Sequence, residues 1–143
     1  MDINDLDPAV RLAVSVIRRC LAGEAINVPS RIMPRYANAF HRCHENVRDW
    51  VSRAPEYAQV YGFLVADRRP FSDGTLVIAH SVVRAPDGSL HDITPNELEI
   101  SYSFVPHAGT PQEFELIGDA VNPDGMVEVP HSLLYPLLRD AGL

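Results

Sequence analysis

The sequence predicts an α+β fold, with N-terminal helices packed on an antiparallel sheet. Three observations carry that prediction. Before residue 53, apolar side chains recur at helical spacing. From residue 58 onward they run in short β-branched and aromatic stretches. Turn signals, not long helical segments, separate those stretches, so neighbouring strands run antiparallel. A chain of 143 residues has the length of one domain. The predicted division is a helical part over about 7–53, a sheet over about 57–130 and a C-terminal helix over about 131–140.

Taken in order, Asp7 followed by Pro8 opens the first helix: a capping side chain, then proline at the first helical position. Val10, Val14, Ile17 and Leu21 share a face, and Gly23 is the stop. Residues 24–33 read as a loop, and Pro34 starts a short helix over 34–40. Cys43 to Ser52 reads as the next helix, with Cys43, Val47, Trp50 and Val51 on one face. Strands are predicted at 58–66 and 75–84, the second running TLVIAHSVVR, with a return strand at 89–93 after the turn Pro86-Asp87-Gly88. Weaker strands are expected at 100–105, 113–118 and 126–129. A terminal helix over 131–140 is disturbed by Pro136.

Composition narrows the function. Hydrophobic residues make up 46% of the chain and charged ones 22%, which excludes wholesale disorder. No apolar run approaches the roughly 18 residues of a membrane span. The start, MDINDLDPAV, is acidic and has no basic region before an apolar core, so no secretory signal is expected. The expected compartment is the cytoplasm, with Cys20 and Cys43 as reduced thiols. Net charge is −7 and no basic stripe occurs, so neither nucleic acid nor membrane is an expected partner. Every cationic side chain is Arg; without Lys, Schiff-base chemistry and a Walker lysine are excluded. No cofactor is expected.

Three residues stand out as chemistry: Cys43, His80 and Asp92. A helix N-terminus lowers a thiol's pKa, as does a nearby imidazolium, and Cys43 stands at a predicted helix start. His80 lies in the middle of an apolar strand, where a polar side chain needs a reason. Asp92 follows on the return strand, where it can orient the imidazole. Hairpin register tests whether the two meet. A two-residue loop, Asp87-Gly88, would set Asp92 opposite Val83, on the wrong face. A three-residue loop, Pro86-Asp87-Gly88, sets it opposite Val82, diagonal to His80. Diagonal neighbours lie about 7–8 Å apart at Cα, within reach of a carboxylate and an imidazole. Proline, aspartate and glycine suit the type I turn plus left-handed residue of the three-residue loop, so that register is predicted.

Plainer roles compete with this reading. Cys43 shares its face with Val47 and Trp50, and a buried Cys is commonly a small hydrophobe. His80 can be a core histidine bonded to a carbonyl, and Asp92 can cap the Thr94-Pro95 turn. Cys20, in mid-helix, reads as structural. A zinc site drawn from His41, Cys43, His44, His80, His91 and Asp92 is the other option, although the spacing matches no standard zinc pattern and His91 alternates away from Asp92. No role is assigned to His107 or His131.

The segment CHENVRDWV…YGFLV…AHSVVRAPDGSLHDITP resembles a widespread bacterial family. Its pattern is Cys-x-x-Asn-Val, then Gly-aromatic, His-x-Val, Pro-Asp-Gly-x-Leu-x-Asp and Ile/Val-Thr-Pro. Here these are Cys43, Asn46, Val47, Gly62, Phe63, His80, Val82, Pro86, Asp87, Gly88, Leu90, Asp92, Ile93, Thr94 and Pro95, over about 43–95. More distantly, the order Cys at a helix start, His on a strand and Asp on the next resembles the papain-like and transglutaminase-like cysteine enzymes. The step from His80 to Asp92 is similar to that of NlpC-type peptidases, and the Cys-x-Glu-Asn-Val segment resembles protein N-terminal glutamine amidohydrolases. This resemblance implies a papain-like or transglutaminase-like fold and a cysteine hydrolase or acyltransferase. Its substrate would be an amide in a peptide, a protein or a small molecule. Cys43 would be the nucleophile, His80 the base and then acid, and Asp92 the orienting carboxylate. No glutamine stands upstream of Cys43 to serve the oxyanion; Asn38 is the candidate by position. The alternative is a non-enzymatic binding or accessory domain with a degenerate triad and a protein partner, followed by a zinc-binding domain.

Overall fold

Asp7 caps the first helix as predicted: its side chain accepts the Ala9 N–H at 2.9 Å, and Pro8 takes the first helical position. The computed structural model describes residues 2–39, 42–95, 103–121 and 125–143. Helix α1 (Pro8–Arg19) buries Ala13, Val14, Val16 and Ile17. A π-helical turn, Cys20–Glu24, follows and carries the chain to Gly23. This wider turn rotates the next residues off the α1 stripe, so Leu21 is 56% exposed instead of buried with Val14 and Ile17. The segment at 34–40 is a single 3-10 turn, Pro34–Tyr36; Tyr36 is buried and its hydroxyl donates to Asp49 at 2.7 Å. Helix α2 (Cys43–Arg53) starts at the predicted residue, with Cys43 and Val47 buried and Trp50 and Val51 half-buried.

The sheet is antiparallel and curled: β1 (Ala58–Asp67), β2 (Gly74–Arg84), β3 (Leu90–His91), β4 (Ser103–Pro106) and β5 (Met126–Pro130). The order is β3-β2-β1-β4, with β5 also paired to β2. β3 and β5 therefore share one edge of β2. The predicted strand at 100–105 is described only from residue 103, where β4 begins. The predicted strand at 113–118 is a helix instead, α3 (Pro111–Val121). Its start explains the difference. The Thr110 hydroxyl accepts the Glu113 N–H at 3.2 Å and Pro111 follows directly, an N-terminal signature that outweighs the local alternation. Helix α4 (His131–Asp140) closes the described chain with Pro136 inside it. The helices are thus not gathered before the sheet: α3 follows four strands, α4 follows five, and the two flank β5. Among the described residues, no helix is long and apolar enough to cross a membrane.

Strand alternation builds the two sides of the sheet. Tyr61, Phe63 and Val65 of β1 join Val77, Val105 and Val129 beneath α1, Phe114 of α3, and Leu134, Leu137 and Leu138 of α4. The opposite face carries Leu64, Val82 and Phe104, packed by Val28, Val60, Ile78 and Leu90. A strap of residues 26–31 crosses that second face. Ile26 pairs with Phe104 of β4 at one side, and Pro29 and Arg31 bond the backbone of Asp92, just beyond β3, at the other.

Candidate active site

The hairpin between β2 and β3 has the three-residue loop. Ala85 donates to the Ser89 carbonyl at 2.8 Å, Gly88 takes φ 88°, and Val83 pairs with His91. One step further along that register, Asp92 faces Val82, diagonal to His80. The side chains meet there: His80 Nε2 lies 2.8 Å from Asp92 Oδ2.

Helix α2 reaches this pair at a gap in the sheet. Along one edge of β2, β5 takes Gly74–Ile78 and β3 takes Val83 and Arg84. Among the described residues, no strand pairs with residues 80–82 on that edge. The first turn of α2 lies against this stretch. Val47 packs with Val83, His44 bonds Ser81, and the imidazole of His80 reaches the Cys43 sulfur. His80 and Ser81 point to opposite faces of β2. Only at an edge can one helix terminus touch both, so the gap is what lets Cys43 and His80 meet.

Cys43 is the first residue of α2, where the amide N–H has no acceptor within the helix and the helix dipole favours an anion. Burial would raise the thiol; hydrogen bonding to His44 and His80, reinforced by the charge of the His80 imidazolium, outweighs it and brings the thiol down to about 6. For His80, burial would lower the imidazole, but the bonds to Asp92 and Cys43 raise it to about 10. Between those values the stable state is a thiolate beside an imidazolium. Asp92 occupies Nε2, so Nδ1 is the nitrogen left for the sulfur.

Four contacts fix Asp92. Its Oδ1 accepts the Thr94 N–H at 3.2 Å and its Oδ2 takes His80 at 2.8 Å. Its own N–H donates to the Pro29 carbonyl at 2.9 Å, and its carbonyl accepts from Arg31 at 2.7 Å. Asn46 joins this turn to α2: the buried amide donates to Thr94 Oγ1 at 3.2 Å and to the Ala39 carbonyl at 3.1 Å. One hydrogen-bonded path thus runs from α2 through Asn46, Thr94 and Asp92 to His80. On the far side of His80, its ring is edge-on to Phe104 at 6.4 Å, and Gly62 is its cross-strand partner. A Cβ at Gly62 would stand 2.5 Å from the Phe104 ring and from the Val105 carbonyl, so the absence of a side chain there is what admits Phe104.

The three residues singled out in the sequence are therefore brought together. His91 is not part of the group; it bonds Ser89 at 2.9 Å and occupies the strand position before Asp92, on the opposite face. His41 lies outside the described residues. Among the described residues, no group of three His, Cys, Asp or Glu side chains is placed to hold a metal ion. Asn38 sits exposed in the turn after Tyr36. Sequence reasoning gives no chemical role to His44 outside a metal shell, nor to Ser81 and Gln59, which are hydrogen-bonded in a chain to His44. The one available signal was a histidine directly after the cysteine. His131, to which the sequence assigns no role, is buried between Thr75 at 3.0 Å and Asp73 at 2.9 Å. Comparison with protein-family models, curated proteins and solved structures finds no match to this chain.

Proposed function

We propose that the protein is a cysteine hydrolase or acyltransferase acting on an amide, with an architecture of papain-like or transglutaminase-like type. The observation that carries this reading is the 2.8 Å bond from His80 to Asp92, on an imidazole that also holds the helix-terminal Cys43 in its thiolate range. The Cys43 thiolate attacks the acyl carbon, and the carbonyl electrons move onto oxygen. The His80 imidazolium protonates the departing nitrogen through Nδ1 as the tetrahedral species collapses. A water, or an acceptor amine in the transferase variant, then attacks the thioester. His80 takes its proton and is restored to imidazolium as Cys43 leaves as thiolate. Asp92 keeps the ring oriented and stabilises its charge throughout. The substrate class is a peptide bond, a glutamine side chain or an acyl conjugate.

The test is covalent. The folded protein is incubated with p-nitrophenyl acetate, quenched in acid and weighed intact, alongside a Cys43→Ala variant. The expected result is one acetyl adduct, absent in the variant, followed by a search for turnover among peptide amides and glutamine peptides. No adduct on Cys43 until the protein is unfolded would overturn the proposal. A second reading draws on the burial of Cys43 (9% exposed) and His80 (7%): a domain that binds a protein partner and keeps the three residues as packing. An inert thiol in the folded protein is the result that reading expects.

A further inference from the structure

Cys43 and His44 of α2 face His80 and Ser81 of β2 as two crossed pairs. The first is the proposed nucleophile and its base. The second is a hydrogen-bonded chain with a readable direction. Gln59 Nε2 can only donate, and it lies 3.2 Å from Ser81 Oγ. Ser81 is fully buried, so its hydroxyl hydrogen needs an acceptor within the protein, and His44 Nδ1 lies 2.5 Å away. Gln59 therefore donates to Ser81, and Ser81 donates to His44. A ring whose Nδ1 accepts is neutral and carries its proton on Nε2. The ring plane is held as well: its centroid lies 5.6 Å from Tyr61 and 5.7 Å from Phe114. His44 is thus unsuited to act as a base, since its lone pair is already used. It is a fixed N–H donor beside the sulfur that attacks.

Resting on the function proposed above, we infer that His44 is a further catalytic residue: with the backbone N–H of Cys43, its Nε2–H receives the oxyanion that forms on the substrate carbonyl. This supplies the side-chain donor that no glutamine upstream of Cys43 provides, and it leaves Asn38 without that task. No proton is transferred at this step. His44 donates a hydrogen bond as the carbonyl electrons move onto oxygen, and the bond weakens when the carbonyl re-forms. A donor present before the reaction stabilises developing charge without reorganising, and loss of one such donor slows acyl transfer by about 10²–10³-fold.

Two reagents separate this role from simple support of the thiolate. Iodoacetamide is attacked at a saturated carbon and forms no oxyanion; p-nitrophenyl acetate forms one. Both rates are measured for Cys43 at one pH in a Cys20→Ala background, so the thiolate fraction cancels in their ratio. The expected result for His44→Ala is a drop in acylation relative to alkylation of about 10²-fold. His44→Gln, which keeps a side-chain N–H, restores part of the ratio, and Ser81→Ala lowers it less than His44→Ala. A parallel fall in both rates would overturn the inference while leaving the Cys43–His80–Asp92 proposal intact. A folded Cys20→Ala protein inert to both reagents would overturn that proposal and this inference with it. Nitrogen-15 NMR of the unmodified protein gives an answer that needs no variant to fold: His44 should carry its proton on Nε2, and a proton on Nδ1 contradicts the relay.

Discussion

A histidine–aspartate pair touches strand β2 near each end, and the two pairs are built differently. Towards its C-terminal end, His80 takes Asp92 on Nε2 at 2.8 Å and faces a thiol. At its start, Thr75 lies 3.0 Å from Nε2 of His131, whose Nδ1 is 2.9 Å from Asp73. Both place hydroxyl or thiol, imidazole and carboxylate in line. The carboxylates differ most: the Asp92 side chain is 19% exposed and anchored by Thr94 and the strap, whereas that of Asp73 is 83% exposed. His131 also donates its backbone N–H to the Asp73 carbonyl and stacks on Tyr135 at 4.8 Å. That pair clamps the start of α4 to the end of the β1–β2 hairpin. The order of three groups is therefore common to a clamp and to a proposed active site. What distinguishes His80 is its third partner, a thiol at a helix terminus, and a carboxylate that cannot turn away.

That contrast predicts a series of effects, largest first. Asp92→Ala removes one partner of a buried charged pair and should cost about 3–5 kcal/mol in urea unfolding. A loss below about 1 kcal/mol would place Asp92 with the exposed carboxylates. Gly62→Ala forces a Cβ against Phe104 and should cost about 1–3 kcal/mol by overpacking. Because Phe104 abuts His80, it should also shift the pH midpoint of Cys43 alkylation; an unchanged midpoint would separate the Gly62 site from the thiol. His131→Ala leaves Thr75 without its ring partner and should cost about 1–3 kcal/mol, with the alkylation midpoint unmoved. A moved midpoint would join the two ends of β2 functionally. Asp73→Ala, at an exposed carboxylate, should change stability by less than about 1 kcal/mol.

How much of this could be read in advance varies by element, and the reasons are physical. The His80–Asp92 contact was legible because turn chemistry sets register: Pro86-Asp87-Gly88 selects the three-residue loop, and period-two alternation does the rest. The α2 start was legible from the spacing of Cys43, Val47 and Trp50. Helix α3 was misread because Phe114, Leu116 and Ile117 mimic a strand; the Thr110-Pro111-x-Glu113 start was the stronger signal, and Leu116 is in fact 71% exposed. The strap over His80 had no periodic signature, since residues 26–31 act through backbone bonds to Phe104 and Asp92. The relay through Ser81 and Gln59 depends on where α2 meets the gap in β2, and no local pattern encodes that meeting. His131 and Asp73 are 58 residues apart in sequence, and only the docking of α4 joins them.

The central claim is that His80 holds Cys43 as a thiolate, and the pH dependence of its alkylation by iodoacetamide tests this most directly. The measurement is made in a Cys20→Ala background, with and without His80→Ala. Alkylation needs the thiolate, so the rate rises with pH through the thiol's midpoint. With His80 present the midpoint should lie near 6. Removing His80 takes away a hydrogen bond and a positive charge, both of which favour the thiolate, so the midpoint should rise towards the ordinary range of about 8.5. A midpoint already in that range with His80 present, or one that ignores its loss, would contradict the account.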